Sequence, residues 1–238
     1  MKELVRAKLI RRYKRFLADV CLDDDRIITV HCPNTGSMKN CIEEGAMIWL
    51  SRSDNPKRKY MYTWEYLQTR RGHYIGINTN RANQLVREGI ESGVVTELDA
   101  YKEIKTEVKY GLEKSRIDML LSANGLPDCY VEVKNVTLLE EPVKKGNGYF
   151  PDSVSERGSK HLRELASVAQ SGGRAVLIFC VQHSGIQRVS SAYHIDETYG
   201  DTLLMAIDRG VEVLAYKARF GPSHFKLWRR VPFNAFPV

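Results

Sequence analysis

The stretch Tyr130-Val131-Glu132-Val133-Lys134-Asn135-Val136 places charged residues inside an otherwise apolar segment. Its β-branched residues alternate with polar ones, which is typical of a β-strand. Side chains on a strand point to the same face at every second residue, so Glu132 and Lys134 share one face while Val131 and Val133 share the other. A carboxylate and an ammonium on a buried strand lose hydration unless they have partners. The sequence therefore predicts a functional site on this strand.

A second apolar strand, Arg116-Ile117-Asp118-Met119-Leu120-Leu121, precedes the first and also carries a charge. Mg²⁺ prefers oxygen ligands, usually one or two carboxylates together with waters and phosphates. Asp118 and Glu132 are the candidate carboxylate ligands, and the backbone carbonyl of Val133 is a candidate third ligand. The alternative is an exposed Glu132–Lys134 pair on an edge strand, because an isolated E-x-K pattern is common.

The predicted catalytic set is Asp118, Glu132 and Lys134. A bound Mg²⁺ or Mn²⁺ polarises a phosphoryl oxygen and lowers the pKa of a bound water. Lys134 would position that water or offset charge that builds up on phosphorus. These residue types indicate metal-assisted hydrolysis of a phosphodiester.

Positive charge is concentrated in the first third of the chain. Residues 1–80 contain 15 Lys and Arg against 9 Asp and Glu, whereas residues 81–238 contain 21 against 20. This distribution favours a basic module that binds a polyanion and presents it to a near-neutral module. Ordinary solvated surface charge is the alternative.

Two basic clusters interleave cations with aromatic residues, Arg11-Arg12-Tyr13-Lys14-Arg15-Phe16 and Lys57-Arg58-Lys59-Tyr60-Met61-Tyr62. Cations neutralise phosphates and rings offer stacking surfaces. The predicted DNA-binding residues in these clusters are Arg11, Arg12, Lys14, Arg15, Lys57, Arg58 and Lys59, with most rings assigned to the core.

A strong helix is predicted over Ser155–Gln170, with Ser155 as its cap. Arg157, Lys160 or His161, and Glu164 have the spacing of one helix face. Arg157, Lys160 and His161 are therefore further candidates for contact with a DNA backbone. A solvated helix face is the alternative.

The pattern of elements predicts two domains, residues 1–79 and 80–238. About five short strands broken by turns indicate a small OB-like barrel in the first. The order αβββαβαβ indicates a mixed sheet flanked by helices in the second. The predicted strands are Leu4–Ile10, Arg15–Cys21, Ile27–His31, Ala46–Arg52, Tyr60–Thr69, Thr106–Tyr110, Ser115–Leu121, Cys129–Thr137, Arg174–Gln182 and Val211–Phe220. The other predicted helices are Asn80–Ser92 and Glu197–Arg209, and residues Glu140–Asp152 are predicted to form a surface loop.

Several classes of protein do not match the composition. No apolar run approaches the about 20 residues of a membrane span, and the N-terminus lacks the apolar core of a signal peptide. We therefore expect a cytoplasmic protein with no membrane partner. The five cysteines are scattered and form no C-x-x-C pair, which argues against a disulfide framework. His31, Cys32 and Cys41 do not supply four zinc ligands at standard spacing.

Several blocks of sequence, in order along nearly the whole chain, resemble the sugar fermentation stimulation protein A (SfsA) family. These blocks are Arg12–Asp19, His31–Met38, Lys57–Tyr60, Ser115–Asp118, Tyr130–Leu138 and Phe150–Leu165. The resemblance implies an N-terminal OB-like domain and a C-terminal PD-(D/E)xK nuclease-like domain. It also implies DNA binding without marked sequence preference and a regulatory link to maltose use.

Carried over by position, Asp118, Glu132 and Lys134 fall on the nuclease signature, with Ile117 in place of its proline. Fold alone does not establish catalysis. The sequence thus leaves two functions open: a Mg²⁺-dependent nuclease, or a DNA-binding regulator whose nuclease fold is silent. It implies no small-molecule cofactor, and it leaves strand preference and oligomeric state open.

Overall fold

The N-terminal part of the protein is a closed β-barrel. The computed structural model describes residues 3–111, 115–140, 146–221 and 225–236. The strands of this part are β1 (Val5–Tyr13), β2 (Leu17–Leu22), β3 (Ile27–His31), β4 (Met47–Arg52), β5 (Tyr62–Gln68) and β6 (Tyr74–Gly76). They pair in the order β3-β2-β1-β4-β5-β6, and a further pairing of β3 with β5 closes the first five into a barrel. The predicted OB-type barrel is confirmed.

Alternation of apolar and polar residues places the barrel core. On β1, Ala7 and Leu9 are buried while Arg6 and Lys8 are exposed. Buried residues of the other strands, among them the fully buried Trp64, complete this core. Burial of one face of every strand fixes the register of the barrel, because a slip of one residue would turn each apolar face outward.

The second part contains three helices and two sheets. In chain order the elements are α1 (Asn80–Glu91), β7 (Glu103–Tyr110), β8 (Ser115–Ser122), β9 (Cys129–Val136), β10 (Leu138–Leu139), β11 (Asn147–Phe150), α2 (Glu156–Gln170), β12 (Arg174–Val181), β13 (Arg188–Ser191), α3 (Glu197–Asp208), β14 (Glu212–Phe220), β15 (Phe225–Arg230) and β16 (Phe233–Asn234), with a 3₁₀ turn at Thr96–Leu98. The main sheet has the order β15-β14-β12-β9-β8-β7. Strands β9, β12 and β14 are parallel and the others antiparallel, so the predicted mixed sheet is confirmed.

The helices cover both faces of the main sheet. On one face, α1 packs through Leu85 and Val86 against Met119 and Val131. On the other face, α2 packs with α3 in a separate core. Ser155 caps α2 as predicted, because its hydroxyl accepts a hydrogen bond from Gly158 N. Within the described ranges, we find no helix whose length and apolar content would let it cross a bilayer.

A four-stranded sheet with the order β10-β11-β13-β16 was not predicted. The stretch Glu140–Asp152, expected to be a surface loop, contains β11, so that prediction is wrong for the described part; residues 141–145 lie outside it. Within β11, Gly148 lets Ile186 approach the backbone, because a Cβ at Gly148 would lie 2.6 Å from Ile186 Cδ1.

The barrel and the main sheet are joined through β6. Gly76 N donates to the Gln182 carbonyl (2.8 Å), and Tyr74 exchanges two bonds with Ser184, through Tyr74 N to the Ser184 hydroxyl and Ser184 N to the Tyr74 carbonyl (2.8 Å each). Asn40 and Cys41 of the barrel also donate to the carbonyls of Leu139 and Thr137. These bonds fix the barrel against the residues that follow β9 and β12, the strands at the centre of the main sheet.

We expect Gly76→Ala to destabilise the protein by about 1–3 kcal/mol, the usual cost of inserting a methyl group into a packed interior. A Cβ at Gly76 would lie 2.4 Å from Gln182 Oε1, and Gln182 is itself buried and bonded to Asn135. Urea unfolding measures the change. Gly36→Ala is the control, because its Cβ would meet a loop side chain, Asn34 Oδ1, at 3.1 Å. Equal stability of the two variants would contradict the prediction.

Candidate metal centre

Strands β8 and β9 separate at Asp118 and Glu132. Their pairing covers three positions and ends at Met119↔Val131. The next pair in this antiparallel register would be Asp118 and Glu132. Instead, the Val133 N–H donates to Asp118 Oδ2 at 2.7 Å. The Asp118 carboxylate therefore accepts the hydrogen bond that the backbone of β8 would otherwise accept from Val133 N–H.

At the same point, the side chains of the antiparallel pair β7 and β8 that face the core move from one side of the main sheet to the other. Glu107 adopts a left-handed backbone conformation (φ +56°), between the register pairs Thr106↔Met119 and Val108↔Ile117. As a result, Met119 packs in the core under α1, whereas Ile117, two residues away, packs in the core under α2. Asp118 lies at this crossover, which directs its carboxylate towards β9.

Glu132 and Lys134 lie in the interior of the sheet. Strand β9 has β8 on one side and β12 on the other, so the alternative of an exposed pair on an edge strand is wrong. Glu132 is only 2% exposed, and Lys134 Nζ donates to its Oε1 at 2.7 Å. Its second oxygen, Oε2, is buried and has no hydrogen-bond partner among the described residues.

His161 belongs to this centre rather than to a surface. It is 5% exposed, and its Nδ1 hydrogen-bonds Glu132 Oε1. Arg157 Nε donates to His161 Nε2 (3.4 Å), so the ring proton lies on Nδ1, which donates to the carboxylate. The prediction that His161 contacts a DNA backbone is therefore corrected: it helps to hold Glu132.

The predicted charged stripe on α2 is only partly at the surface. Glu164 is buried beside Gly111, whereas Arg157 is exposed and Lys160 is half-buried. The helix turns the face that carries His161 and Glu164 towards the sheet, where Glu132 supplies a partner for the imidazole. Arg157 and Lys160 remain predicted DNA contacts.

The two carboxylates of the centre have opposite pKa shifts. Burial, followed by repulsion from Glu132, raises the pKa of Asp118 to about 6, although bonds from Val133 N and Asn83 act against this. Burial also acts to raise the pKa of Glu132, but the His161 hydrogen bond and the Lys134 charge outweigh it and hold that pKa below its ordinary value. Glu132 is therefore the more firmly ionised of the two.

Asn83 is a site residue that the sequence analysis missed. It lies near the start of α1, and its Nδ2 donates to Asp118 Oδ1 at 2.8 Å. Both oxygens of Asp118 are thus oriented, one by Asn83 and one by the Val133 backbone. The available signal was a polar residue next to the apolar side of α1, which is too common to identify a site.

The centre fits a hard divalent cation. Asp118 and Glu132 provide oxygen donors, and a cation between them would offset the repulsion that raises the pKa of Asp118. Glu132 Oε2, which has no hydrogen-bond partner among the residues that the structure describes, is available as a metal-ligand atom. No cluster of three or more His, Cys, Asp or Glu suited to a metal occurs among the described residues, so a third protein ligand would be a group outside these residue types, such as a backbone carbonyl. The Val133 carbonyl suits this role, because N–H and C=O of one strand residue point to the same side, here towards Asp118.

A loop of the barrel forms one wall of a cleft at the end of β9. The cleft has a volume of about 210 Å³, and its walls include Thr35 and Gly36 of the barrel and Asn135 and Asp152 of the sheet domain. Ser37 Oγ donates to Asp152 Oδ2 at 2.8 Å and fastens the loop. Asn135 directly follows Lys134 on β9, and its side chain points to the opposite face of the strand, so the cleft lies at the end of β9 that follows the centre.

The predicted basic residues of the barrel fall into two groups. Arg11 is paired with Asp19 at 2.9 Å, and Arg12 donates to the carbonyls of Arg15, Asn34 and Gly36, so both have structural partners. Among the described residues, no hydrogen bond or ion pair engages the exposed side chains of Lys14, Arg15, Lys57, Arg58 and Lys59. This second group is available to a ligand.

The two clusters approach each other around His31. The turn that holds Lys14 and Arg15 leads into Leu17, which pairs with His31. On its other side His31 pairs with Thr63, the residue that follows the second cluster. Burial, followed by the charge of Arg58, lowers the pKa of His31. Phe16, the last residue of the first cluster, is 46% exposed, so its ring is accessible to a ligand.

The fold and the site define a class of protein: an OB-type barrel joined to a mixed α/β sheet that carries a buried carboxylate pair. Family models match both parts. Residues 10–77 match the "SfsA N-terminal OB domain", and residues 80–224 match the "Sugar fermentation stimulation protein RE domain". The chain belongs to the sugar fermentation stimulation protein A (SfsA) family.

Curated relatives support this assignment over almost the full length. A sugar fermentation stimulation protein homolog of Shewanella loihica is 56% identical over 225 residues, covering 94% of each chain. The homolog of Pseudoalteromonas atlantica is 53% identical over 229 residues and covers 96% of each. Among solved structures, Pyrococcus furiosus SfsA in complex with Ca²⁺ superposes with a TM-score of 0.87 at 23% identity, covering 98% of this chain and 97% of that one, which shows a common fold.

Proposed function

We propose that this protein binds DNA with little sequence specificity and hydrolyses its phosphodiester bonds with Mg²⁺ or Mn²⁺. Two observations carry the proposal: β8 and β9 separate where Asp118 faces Glu132, and the buried Glu132 Oε2 has no hydrogen-bond partner in the described part of the chain. A buried, unpartnered carboxylate oxygen is costly, which favours a functional role for it.

Asp118, Glu132 and the Val133 carbonyl would hold the cation. When bound, it would polarise a phosphoryl oxygen and lower the pKa of a water. Lys134, 2.7 Å from Glu132 Oε1, would place a positive charge beside the reacting phosphate. Asn83 and His161 would hold the two carboxylates in their orientations. The Pyrococcus furiosus structure is described with Ca²⁺, another cation that takes oxygen ligands, which supports a hard divalent ion here.

The barrel would hold the DNA. Lys14, Arg15, Lys57, Arg58 and Lys59 are exposed cations, and phosphate contacts position a nucleic acid without reading its sequence. The barrel loop that lines the cleft beside Asn135 would lead the strand to the centre. This division of roles accounts for a basic first domain and a near-neutral second one.

A DNA-binding regulator with a silent nuclease fold is the second candidate, with the family name supplying the link to sugar metabolism. One observation favours it. Lys134 and His161 both bond Glu132 Oε1, and such a buried cluster would also serve as a purely structural ion pair.

Incubation with labelled DNA separates these functions. Single-stranded, linear duplex and supercoiled DNA would each be incubated with the purified protein and Mg²⁺, Mn²⁺ or EDTA, and the products resolved on denaturing gels. Cleavage that requires the cation supports the nuclease. Binding in a mobility-shift assay without cleavage under any condition would leave the regulator.

We expect Asn83→Ala to lower the Mg²⁺-dependent cleavage rate by about 10- to 100-fold, the usual effect of removing a group that orients a metal ligand. The variant loses the bond to Asp118 Oδ1 and keeps both carboxylates. A rate measurement over a range of Mg²⁺ concentrations tests this. Gln84→Ala is the matched control, because its neighbouring amide bonds the exposed Glu88 instead. Equal rates in the two variants would remove Asn83 from the centre.

A further inference from the structure

Trp228 is displayed at the edge of the main sheet by a β-bulge. Strand β15 pairs with β14 through Lys217↔Arg229 and Ala218↔Leu227, so Trp228 is an extra residue between two consecutive pairs. Trp228 is 47% exposed and lies on the face of β15 opposite to the buried Phe225 and Leu227, and the bulge places it beside Arg229. The packing of the sheet therefore does not require this ring.

Cations surround the exposed indole. The guanidinium carbons of Arg219 and Arg229 lie 5.6 and 5.1 Å from the ring centroid, and the exposed Lys226 is on the same strand. Arg230 is already paired with Glu97 at 2.7 Å, whereas Arg229 donates only to neutral oxygens, the Gln187 amide (2.8 Å) and the Arg230 carbonyl (3.4 Å), so its charge is not neutralised by them. Charge on an edge strand also discourages pairing with other chains, but that role is fulfilled by the cations and does not call for an exposed Trp.

We propose that Trp228, Arg219, Lys226 and Arg229 form a second nucleic-acid site, which binds single-stranded segments by stacking a base. Indole rings and guanidinium planes both stack on bases, and the same cations neutralise phosphates. A duplex hides its base faces within its own stack, so this site selects unpaired nucleotides. The positive charge favours a polyanion over an apolar protein partner.

The site is separate from the metal centre. Strand β15 lies three strand spacings from β9, about 14 Å. Across the sheet, Arg229 pairs with Lys217, Lys217 with Val181, and Val181 with Val136. Val136 lies four residues after Glu132 on β9, which is about 13 Å along the strand. The two sites are thus about 20 Å apart, within the reach of a bound strand of about 4–16 nucleotides.

This inference rests on the proposed DNA binding but not on cleavage. Its test uses fluorescence anisotropy in EDTA, with a labelled 16-residue oligothymidylate and a labelled 16-base-pair duplex as probes. We expect Trp228→Ala to weaken binding of the single strand by about 5- to 150-fold, the range for loss of one stacked base. Trp228→Phe keeps a ring and should recover most of this affinity. Binding of the duplex should change less than about 2-fold, since duplex bases stay stacked on each other.

The outcomes are distinguishable. If the wild-type protein binds neither probe, the proposed function and this inference both fail. If the wild type binds and Trp228→Ala binds the single strand equally well, only this inference fails. It is also overturned if Trp228→Ala weakens both probes to the same extent. Urea unfolding of Trp228→Ala is the control for folding. We expect the stability of the variant to match that of the wild type, because the ring lies outside the core.

Discussion

Glu132→Gln is expected to reduce Mg²⁺-dependent cleavage by at least about 100-fold while leaving DNA binding intact. Stabilisation of transition-state charge by a metal ion amounts to several kcal/mol, and each 1.36 kcal/mol corresponds to about tenfold in rate. The amide keeps the size of the side chain and still accepts hydrogen bonds from Lys134 and His161, but it is a poor metal ligand. Cleavage rates from gels and binding by anisotropy give the two quantities.

Glu140 provides a closely matched control for Glu132. It too is paired with a lysine and a histidine, Lys39 and His194, each at 2.7 Å, and those partners also help to lower its pKa although burial acts to raise it. Glu140→Gln therefore removes the same kind of ion pair away from the centre and should cleave at the wild-type rate. If both variants cleave normally, Glu132 has a structural role and the silent-fold alternative gains support. If both lose activity, the loss reflects stability.

The carboxylate pair and most of the fold could be predicted from local patterns. Period-two alternation identified β3 with its observed bounds and β8 and β9 to within one residue at each end. The pattern also showed that Glu132 and Lys134 share a face, because that follows from strand geometry alone. What it left undecided was whether β9 lies inside the sheet or at its edge, because strand order depends on pairings between distant residues.

The parts that were missed depend on contacts between distant segments. Strands β10, β11, β13 and β16 are two to four residues long, too short for a period to be visible. Asn83 joins the site only because α1 packs over β8 and β9. His161 has the same helical spacing as a surface residue, and it is buried because Glu132, 29 residues away, offers it a partner. A polar residue on a helix is buried or exposed according to what lies opposite, which the helix sequence does not contain.

Removing three exposed cations of the barrel should have the largest effect on DNA binding. For Lys14→Gln/Arg15→Gln/Arg58→Gln, we expect the slope of log affinity against log salt concentration to become less negative by about 2.7. Each phosphate contact to a duplex contributes about −0.9 to that slope. At 0.1 M salt this corresponds to binding about 500-fold weaker than that of the wild type, and the affinities of the two proteins become equal towards 1 M salt. These side chains have no partner among the described residues, so their loss should leave the fold unchanged. Anisotropy at several salt concentrations measures the slope.

A control variant with the same net charge separates local contact from overall charge. Arg6→Gln/Arg87→Gln/Lys102→Gln also removes three positive charges, from +7 to +4. Its cations are engaged elsewhere, with Asp23, Glu91 and the Asp99 carbonyl. We expect it to retain nearly the wild-type slope, because those residues do not contact phosphate. Equal flattening in the two triple variants would mean that net charge alone attracts the DNA, and the barrel surface around His31 would no longer be its binding site.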